Sequence, residues 1–181
     1  MTIPTTDTQE QVILVDEHDR EVGLMDKFAA HVGPHLHRAF SIFVFNTNGD
    51  MLLQRRAFSK YHSPGLWTNT CCSHPHADET LGQATSRRLQ EEMGLSCDLH
   101  EVFSFIYKAP VGQGLTEHEF DHVFIGISNT QPAINPEEVE EWKYMSPDAV
   151  SEDIRQHPEL YTEWFKISFD EIARHAAELR Q

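Results

Sequence analysis

A tight turn between two strand-like segments is the feature that most restricts the fold of this chain. Residues 39–46 (AFSIFVFN) are rich in β-branched and aromatic side chains, which favour strands. Asn48-Gly49-Asp50 follows, and an asparagine–glycine pair accommodates the positive backbone angles of a tight hairpin turn. Residues 51–57 (MLLQRRA) then continue the extended pattern. The sequence therefore predicts a β-hairpin, and any fold for the chain has to include a sheet.

Further strands are expected on both sides of this hairpin. The run at 12–15 (VILV), the turn-rich DEHDR and the segment EVGLMDK predict a first hairpin. Another extended stretch covers residues 66–73. Two more strands are expected at 101–108 and at 119–127, separated by a flexible segment, PVGQGLT.

Helices are expected between and after these strands. The first is predicted to begin near Asp78, as its N-cap, and to end at Met93, where Gly94 closes it. Pro147 opens a short helix, and residues 158–179 are predicted to form a longer one.

Strands and helices that mix without a regular βαβ alternation indicate an α+β fold. The sequence contains no internal repeat and no linker. We therefore predict one compact, sandwich-like domain over residues 1–181, in which residues 1–10 form a flexible N-terminus.

The charge of the chain restricts its ligands. There are 29 Asp and Glu against 14 Lys and Arg, which gives a formal net charge of −15. Non-specific nucleic-acid binding needs a basic surface, so this charge argues against it. An acidic protein that binds an acidic ligand has to concentrate its few cations at that ligand or use a metal.

Two further features bear on the compartment. No apolar run approaches the roughly 18 residues of a membrane span, and the N-terminus MTIPTTDTQEQ has neither the basic nor the apolar part of an export signal. Cys71, Cys72 and Cys97 form no CxxC pair and indicate no disulfide framework. We expect a reduced, cytoplasmic protein that does not act at a membrane.

The predicted helix over 79–95 carries a spaced set of charges. Arg88 and Glu92 are one helical turn apart, as are Arg87 and Glu91, so each pair can interact along the helix surface. Such pairs by themselves are also typical of an ordinary solvated helix.

The same segment resembles the Nudix box, G-x5-E-x7-R-E-U-x-E-E-x-G-U, in which U is a bulky aliphatic residue. The matching residues are Glu79, Arg87, Leu89, Glu91, Glu92, Gly94 and Leu95. The sequence departs from the box at Ser73, in place of the opening glycine, and at Arg88, in place of the first glutamate of the core. Nudix hydrolases hold their metals with that acidic trio, so a cation there weakens the case for hydrolysis, because it repels Mg²⁺. An arginine can instead grip a diphosphate with two hydrogen bonds.

A second group of residues is suited to a metal. In a strand, Glu117 and Glu119 project from the same face while His118 points away. With His31, His37 and His74 they offer three imidazoles and two carboxylates, a plausible octahedral set for Mn²⁺, Mg²⁺ or Zn²⁺. Twelve histidines allow many other combinations, and a lone histidine is more often structural or exposed.

Several longer segments resemble the type I isopentenyl-diphosphate isomerases, which are Nudix-like proteins. The resemblance spans roughly residues 12–166. Its segments are Lys27-Phe28-Ala29-Ala30-His31, Leu36-His37-Arg38-Ala39-Phe40, Arg55-Arg56-Ala57 with Lys60, Pro64-Gly65-Leu66-Trp67-Thr68-Asn69 and Cys72-Ser73-His74-Pro75, continuing through Tyr107, Glu117-x-Glu119 and Trp164. It implies a Nudix-like mixed β-sheet sandwich flanked by helices.

The resemblance implies two metal positions. One divalent metal (Mn²⁺, Mg²⁺ or Zn²⁺) is expected on His31, His37, His74, Glu117 and Glu119. A Mg²⁺ that accompanies the substrate diphosphate is expected on Glu92 and the backbone carbonyl of Cys72. The stretch between His31 and His37 is about one residue shorter than a common family form, so His35 is an alternative to His37.

The reaction implied is the interconversion of isopentenyl and dimethylallyl diphosphate, in isoprenoid precursor biosynthesis. Protonating an unactivated alkene creates a tertiary carbocation-like centre, so an acid is needed on one face and a base on the other. The resemblance assigns these roles to Cys72 and Glu119, with Tyr107 as a hydrogen-bond partner of Glu119. It places the indole of Trp164 against the cationic carbon. Without the resemblance, Cys72 and Trp164 read as ordinary core residues.

The expected ligand is a prenyl diphosphate. Lys27, Arg56, Lys60 and Arg88 would bind the diphosphate, and Trp67 would shape the pocket. No nucleic-acid or membrane partner is expected, and the protein is expected to be a monomer or a weak homodimer.

Two alternatives stay open. The first is a Nudix hydrolase of a nucleoside or other organic diphosphate, against which Arg88 and Cys72 count. The second is a Nudix-fold sensor that binds a diphosphate without turnover.

Overall fold

The computed structural model describes residues 10–179 and contains nine strands and four α-helices within them. The strands are β1 (Gln11–Val15), β2 (Glu21–Asp26), β3 (His37–Phe45), β4 (Met51–Arg56), β5 (Trp67–Thr68), β6 (Cys71–Ser73), β7 (Leu99–Gly112), β8 (Leu115–Ile127) and β9 (Val139–Met145). The helices are α1 (Lys27–Val32), α2 (Leu81–Met93), α3 (Pro147–Gln156) and α4 (Glu163–Glu178), with a 3-10 turn at Pro158–Leu160.

Strand β3 lies at the centre of a mixed sheet. It runs parallel to β8 along its whole length, from the pair His37–Glu119 to the pair Phe45–Ile127. On its other side it pairs antiparallel with β1 and β6, and β4 continues the sheet to β5 and β9. A strand buried on both faces needs apolar side chains in both directions, which explains the nearly continuous run AFSIFVF.

Alternate residues of β3 pack into two separate cores. Phe43 and Phe45 lie in the core covered by α3 and α4, together with Phe165 and Phe169. Phe40, Ile42 and Val44 lie in the core covered by α2, together with Leu89 and Met93. The expected fold, an α+β sheet flanked by helices in one compact domain, is therefore confirmed.

The described residues confirm most of the predicted elements. Both hairpins form, although β3 and β4 share only the Phe45–Met51 pair in register beside the Asn48-Gly49 turn. The extent of the domain over all of residues 1–181 stays a prediction. Apart from Glu10, the expected flexible N-terminus lies outside the described residues. None of the helices within residues 10–179 is long and apolar enough to cross a membrane.

Three boundaries were wrong. Helix α2 is capped by Thr80 rather than Asp78, because Thr80 and Gln83 satisfy each other's backbone groups in a capping box. The segment PVGQGLT is not a flexible connection: β7 and β8 continue through it to a tight turn at Gln113 and Gly114, both with positive φ. The predicted helix over 158–179 is interrupted, because a 3-10 turn ends at Leu160 and α4 begins only at Glu163.

Candidate active site

One end of the sheet opens into a cavity of about 50 Å³ that is lined almost wholly by polar side chains. The lining contains Lys27, Ser41, Arg56, Lys60, Tyr61, His62, Cys72, Ser73, His74, Arg88, Glu92, Tyr107, Glu117, Glu119, Asp121 and Trp164. These residues come from strands β3, β4, β6, β7 and β8, from three helices and from the loops between them. The acidic, basic, imidazole and thiol side chains of the cavity therefore come from segments that are far apart in the sequence.

A buried cluster of possible metal ligands forms one wall. Nitrogen or oxygen atoms of His31, His37, His74 and Glu119 all lie within 4.8 Å of one another. The parallel register places His37 beside Glu119, and His74 follows directly after β6. His74 Nε2 is 3.2 Å from His37 Nε2 and 3.6 Å from Glu119 Oε2. The structure thus brings His37, and not His35, into the cluster.

Backbone carbonyls orient two of these imidazoles. His31 Nδ1 donates to the carbonyl of Lys27 at 2.6 Å, and His37 Nδ1 donates to that of His35 at 2.9 Å. Their Nε2 atoms face the other members of the cluster, and His31 Nε2 has no hydrogen-bond partner among residues 10–179. A ring nitrogen oriented in this way is the usual arrangement of a metal-bound histidine. The donor set and this buried, unsatisfied nitrogen fit a divalent metal.

Two imidazoles of the cluster, those of His37 and His74, are electrically neutral at neutral pH. Burial lowers the pKa of His37 to about 4 and that of His74 well below its usual range. At neutral pH each of these two imidazoles therefore has a nitrogen lone pair that can bind a metal without first losing a proton.

The buried Tyr107 hydroxyl lies within hydrogen-bond distance of two carboxylates, those of Glu117 and Glu119. The Tyr107 hydroxyl lies 2.6 Å from Glu117 Oε2 and 2.9 Å from Glu119 Oε1. The register of β7 and β8 pairs Tyr107 with Glu119, which accounts for the approach. Burial, together with the nearby Glu117 and Asp121 carboxylates, raises the pKa of Glu119 well above its ordinary value.

Adjacent cysteines face opposite sides of the sheet. Cys71 is fully buried and packs in the core beneath α2, whereas Cys72 lines the cavity and contacts the opposite core. Burial raises the pKa of the Cys72 thiol well above its ordinary value, and Arg56 opposes this rise. The strand geometry at β6 therefore places only one thiol in the cavity, in its protonated form.

Trp164 supplies an aromatic wall. It is 3% exposed, and its Nε1 donates to Asn69 Oδ1 at 3.2 Å, which fixes the orientation of the indole. The Arg56 guanidinium lies 5.4 Å from the ring centroid, so the ring already faces one cation. Trp67 lies outside the cavity lining, where Lys143 stacks on its ring at 4.1 Å.

The four cations expected at a diphosphate all line the cavity. Lys27 pairs with Glu10 at 3.5 Å, and Lys60 pairs with Glu138 at 2.7 Å. Arg88 contacts Glu92 and lies 2.8 Å from Glu91, while Arg56 donates to the carbonyl of His62 at 3.1 Å. The cationic groups are thus concentrated at one site of an otherwise acidic protein.

Glu92 lies at the junction of this cationic group and the sheet. It is 5% exposed, and Gln54 Nε2 donates to its Oε2 at 2.9 Å. Glu92 and Cys72 line the same cavity as the four Lys and Arg side chains. A metal ion bound between Glu92 and Cys72 could therefore contact a diphosphate that these side chains hold.

Five of the lining residues were not predicted as site residues from the sequence: Ser41, Tyr61, His62, Ser73 and Asp121. Asp121 continues the two-residue period of Glu117 and Glu119, so that period is a signal that could have revealed it. Ser41 donates to Asp121 Oδ2 at 2.7 Å and is the one polar residue in the apolar run AFSIFVF of β3. His62 lies in the connection between β4 and β5, where no pattern marks it.

Comparisons with known proteins identify the family. Residues 35–165 match the NUDIX domain. The protein of Aromatoleum aromaticum named isopentenyl-diphosphate Delta-isomerase 2 is 51% identical over 164 residues, 91% of this chain and 87% of that protein. The chain belongs to the isopentenyl-diphosphate Delta-isomerase family. A family member from Pectobacterium atrosepticum is 47% identical over 162 residues, 90% of each protein.

A solved structure supports the fold of this isomerase family member. The Deinococcus radiodurans protein DR0079 superposes with a TM-score of 0.74 at 22% identity, covering 92% of this chain and 99% of that protein. At this identity the likeness concerns the fold alone. Nudix proteins bind divalent metal ions, and the buried donors described above are candidates for this role.

Proposed function

We propose that this chain interconverts isopentenyl and dimethylallyl diphosphate, with Cys72 and Glu119 as the two proton-transfer groups. The observation that carries the proposal is their placement in one cavity on strands that flank β3 from opposite sides. Cys72 is paired with Ser41 on one edge of β3, and Glu119 is paired with His37 on the other. A flat C5 alkenyl chain between them meets a proton-transfer group on each face.

The chemistry requires one proton to be added and another removed. The protonated group of the pair delivers its proton to the terminal alkene carbon, which leaves positive charge on the tertiary carbon. The deprotonated group then removes a proton from the carbon on the other side of that centre, and the double bond has moved. The reaction is reversible, so each group serves as acid in one direction and as base in the other.

Trp164 and Tyr107 support these steps without exchanging carbon-bound protons. The electron-rich indole face of Trp164 stabilises the cationic carbon, by about 2 kcal/mol in a water-excluded site. The Tyr107 hydroxyl, 2.9 Å from Glu119, holds that carboxyl group toward the cavity. Lys27, Arg56, Lys60 and Arg88 bind the diphosphate and hold the alkene in place.

The metal assignments are part of the same proposal. His31, His37, His74, Glu117 and Glu119 would hold one divalent ion (Mn²⁺, Mg²⁺ or Zn²⁺), and Glu92 with the Cys72 carbonyl would hold a Mg²⁺ that enters with the diphosphate. When bound, these ions supply positive charge that fixes the carboxylates and neutralises the diphosphate. The mutual approach of the buried donors within 4.8 Å supports the first assignment, and Glu92 in the cavity lining supports the second.

The proposal also covers the compartment, the oligomeric state and the partners of the protein. We expect a cytoplasmic monomer or weak homodimer that binds a small prenyl diphosphate and no nucleic acid. The net charge of −15 supports the absence of a nucleic-acid partner.

Incubation of the protein with isopentenyl diphosphate and Mg²⁺ in D₂O tests the reaction. The expected result is dimethylallyl diphosphate that carries deuterium at the newly formed methyl group. Release of phosphate or of a monophosphate would identify a Nudix hydrolase instead. Substrate that binds but is recovered unchanged and unlabelled would identify a sensor.

A further inference from the structure

Three consecutive polar side chains are fully buried where β5 ends and the chain turns into β6. Thr68, Asn69 and Thr70 are each 0% exposed. Asparagine and threonine are mostly found on protein surfaces, and burying a polar group is costly unless it is hydrogen-bonded. This short segment therefore has to belong to a hydrogen-bond network inside the protein.

The side-chain amide of Asn69 is the centre of that network. Its Oδ1 accepts from Trp164 Nε1 at 3.2 Å and from Thr68 Oγ1 at 2.8 Å. Its Nδ2 donates to the carbonyl of Ile42 at 3.1 Å and to that of Cys71 at 2.8 Å. An indole N–H can only donate and a carbonyl can only accept, so these partners fix which end of the amide carries the oxygen. The side chain is thus held at both ends.

These hydrogen bonds join two halves of the candidate active site. Trp164 belongs to the first turn of α4, whereas Cys71 directly precedes Cys72, whose thiol lines the cavity from β6. Asn69 therefore links the helix that carries the indole to the strand that carries the thiol. Its bond to the Ile42 carbonyl attaches both of them to the central strand β3.

The start of α4 is attached to the same segment at a second point. Thr162 precedes the helix, and its Oγ1 lies 2.8 Å from Thr68 Oγ1. The backbone N–H of Thr162 donates to the carbonyl of Trp67 at 3.0 Å, and Trp67 forms a parallel bridge with Tyr161. A buried polar network in which every member is satisfied is rigid. The first turn of α4 can therefore shift only if buried hydrogen bonds break.

The proposed reaction depends on the relative position of these two groups. The cationic carbon has to lie over the face of the Trp164 indole, within about 6 Å of its centroid, while Cys72 exchanges a proton with a neighbouring carbon. A misplacement of about 1 Å that originates away from the chemistry can lower a rate by roughly 100-fold. Since the two groups belong to different elements, a contact between those elements has to set their separation.

We propose that Asn69 is a positioning residue for the isomerisation, which holds the Trp164 indole and the Cys72 strand in one fixed relation. The inference rests on the proposed function and assigns a further residue to it. Asn69 is absent from the cavity lining, so it acts through Trp164 and through the backbone at Cys71. Its contribution is therefore to the chemical step, whereas the Lys and Arg side chains bind the diphosphate.

Steady-state kinetics of Asn69→Ala test this assignment. We expect kcat to fall by roughly 10- to 100-fold while the KM for isopentenyl diphosphate stays within about twofold of the wild-type value. The affinity for a diphosphate that carries a dimethylammonium group in place of the cationic carbon should fall by at least about tenfold, because that charge needs the indole face.

Thr70→Val is the matched control. Thr70 is as deeply buried as Asn69, but its hydroxyl donates to the Leu52 carbonyl and accepts from the Val44 N–H. The variant should therefore unfold at a lower urea concentration, as Asn69→Ala does, because both leave buried backbone groups without partners. Its kcat and its affinity for the ammonium compound should remain those of the wild-type protein.

A double-mutant cycle with Trp164→Phe tests whether Asn69 acts through the indole. Phenylalanine keeps an aromatic ring but has no N–H to donate to Asn69. Asn69→Ala should then lower kcat less in the Trp164→Phe background than in the wild-type protein. We expect the double variant to retain a kcat at least about threefold higher than the two single effects multiplied together would give.

The outcomes separate this inference from the proposed function. Single effects that multiply exactly, or a loss of kcat in Thr70→Val as large as in Asn69→Ala, would show that Asn69 is only structural, while the wild-type protein still isomerises. A wild-type protein that gives no labelled dimethylallyl diphosphate in D₂O would overturn both. If Asn69→Ala does not fold, Thr68→Val replaces it in the same cycle, because it removes one of the two donors to Asn69 Oδ1.

Discussion

The hydroxyl of Tyr107 lies 2.9 Å from Oε1 of Glu119, its register partner on the neighbouring strand. The same hydroxyl lies 2.6 Å from Glu117 Oε2, but it has one proton and donates to one carboxylate at a time. Tyr107 therefore links the group proposed to exchange a proton with the substrate to a neighbouring proposed metal ligand.

Replacing this hydroxyl should affect the chemical step. We expect Tyr107→Phe to lower kcat by roughly 10- to 100-fold with little change in KM, because a hydrogen bond to a charged or reacting group is lost. Steady-state kinetics with isopentenyl diphosphate measure both constants. Tyr144→Phe is the control, since the buried Tyr144 hydroxyl has no hydrogen-bond partner among residues 10–179. An unchanged kcat in Tyr107→Phe would show that the contact is structural only.

The two adjacent cysteines provide a matched pair. Cys72→Ala should lower kcat by at least about 100-fold, because it removes a proposed proton-transfer group. Cys71→Ala should keep the wild-type kcat and lower the free energy of unfolding by about 1 kcal/mol, because it leaves a small cavity in the core beneath α2. Deuterium incorporation and urea unfolding measure the two effects. Turnover at the wild-type rate in Cys72→Ala would contradict the assignment.

The neighbouring arginines of α2 provide a second pair. Arg88→Gln should raise the KM for isopentenyl diphosphate by about tenfold or more, because Arg88 lines the cavity and would bind the diphosphate. Arg87 forms hydrogen bonds with Glu79 at 2.6 and 2.9 Å outside the cavity lining, so Arg87→Gln should leave KM unchanged. Equal KM values for the two variants would argue against a substrate contact at Arg88.

Two buried histidines, His37 and His62, should each contribute stability to the metal-free protein that is lost in mild acid. Burial lowers the pKa of His37 to about 4 and that of His62 to about 3, against an unfolded value of about 6.5. Below about pH 6.5 these two histidines bind protons in the unfolded chain but not in the folded chain, so their contribution to stability falls as the pH drops from 6.5 toward 4 for His37 and toward 3 for His62. Each group contributes a few kcal/mol at most.

Urea unfolding in the presence of a chelator measures this dependence between pH 7.5 and 4. His62→Gln removes one of the two titrating groups, so its free energy of unfolding should change less steeply with pH than that of the wild-type protein. Identical slopes would mean that His62 is protonated equally in the folded and unfolded states.

Local patterns in the sequence were sufficient to predict many of the strands and turns and the orientation of several side chains. The Asn48-Gly49 turn and the strands around it form as predicted, and the alternation of Glu117 and Glu119 places both carboxylates in the cavity. The opposite orientations of Cys71 and Cys72 follow from the same two-residue period. Each of these features depends on residues close together in the chain. The error at Asp78 also had a local cause, because Thr80 and Gln83 form the capping box only two residues further on.

The sequence by itself thus determined the sheet-forming segments, the Nudix-like helix and, through a family resemblance, the expected residue roles. Only the tertiary structure decided which of the twelve histidines meet and that His62 is among them. It also decided that Trp67 lies outside the cavity lining and that Ser41 contacts Asp121. The physical reason is that propensity and periodicity act between neighbours along the chain. The convergence of His31, His37, His62 and His74 depends instead on strand register across β3 and on the packing of α1 and the β4–β5 loop against the sheet.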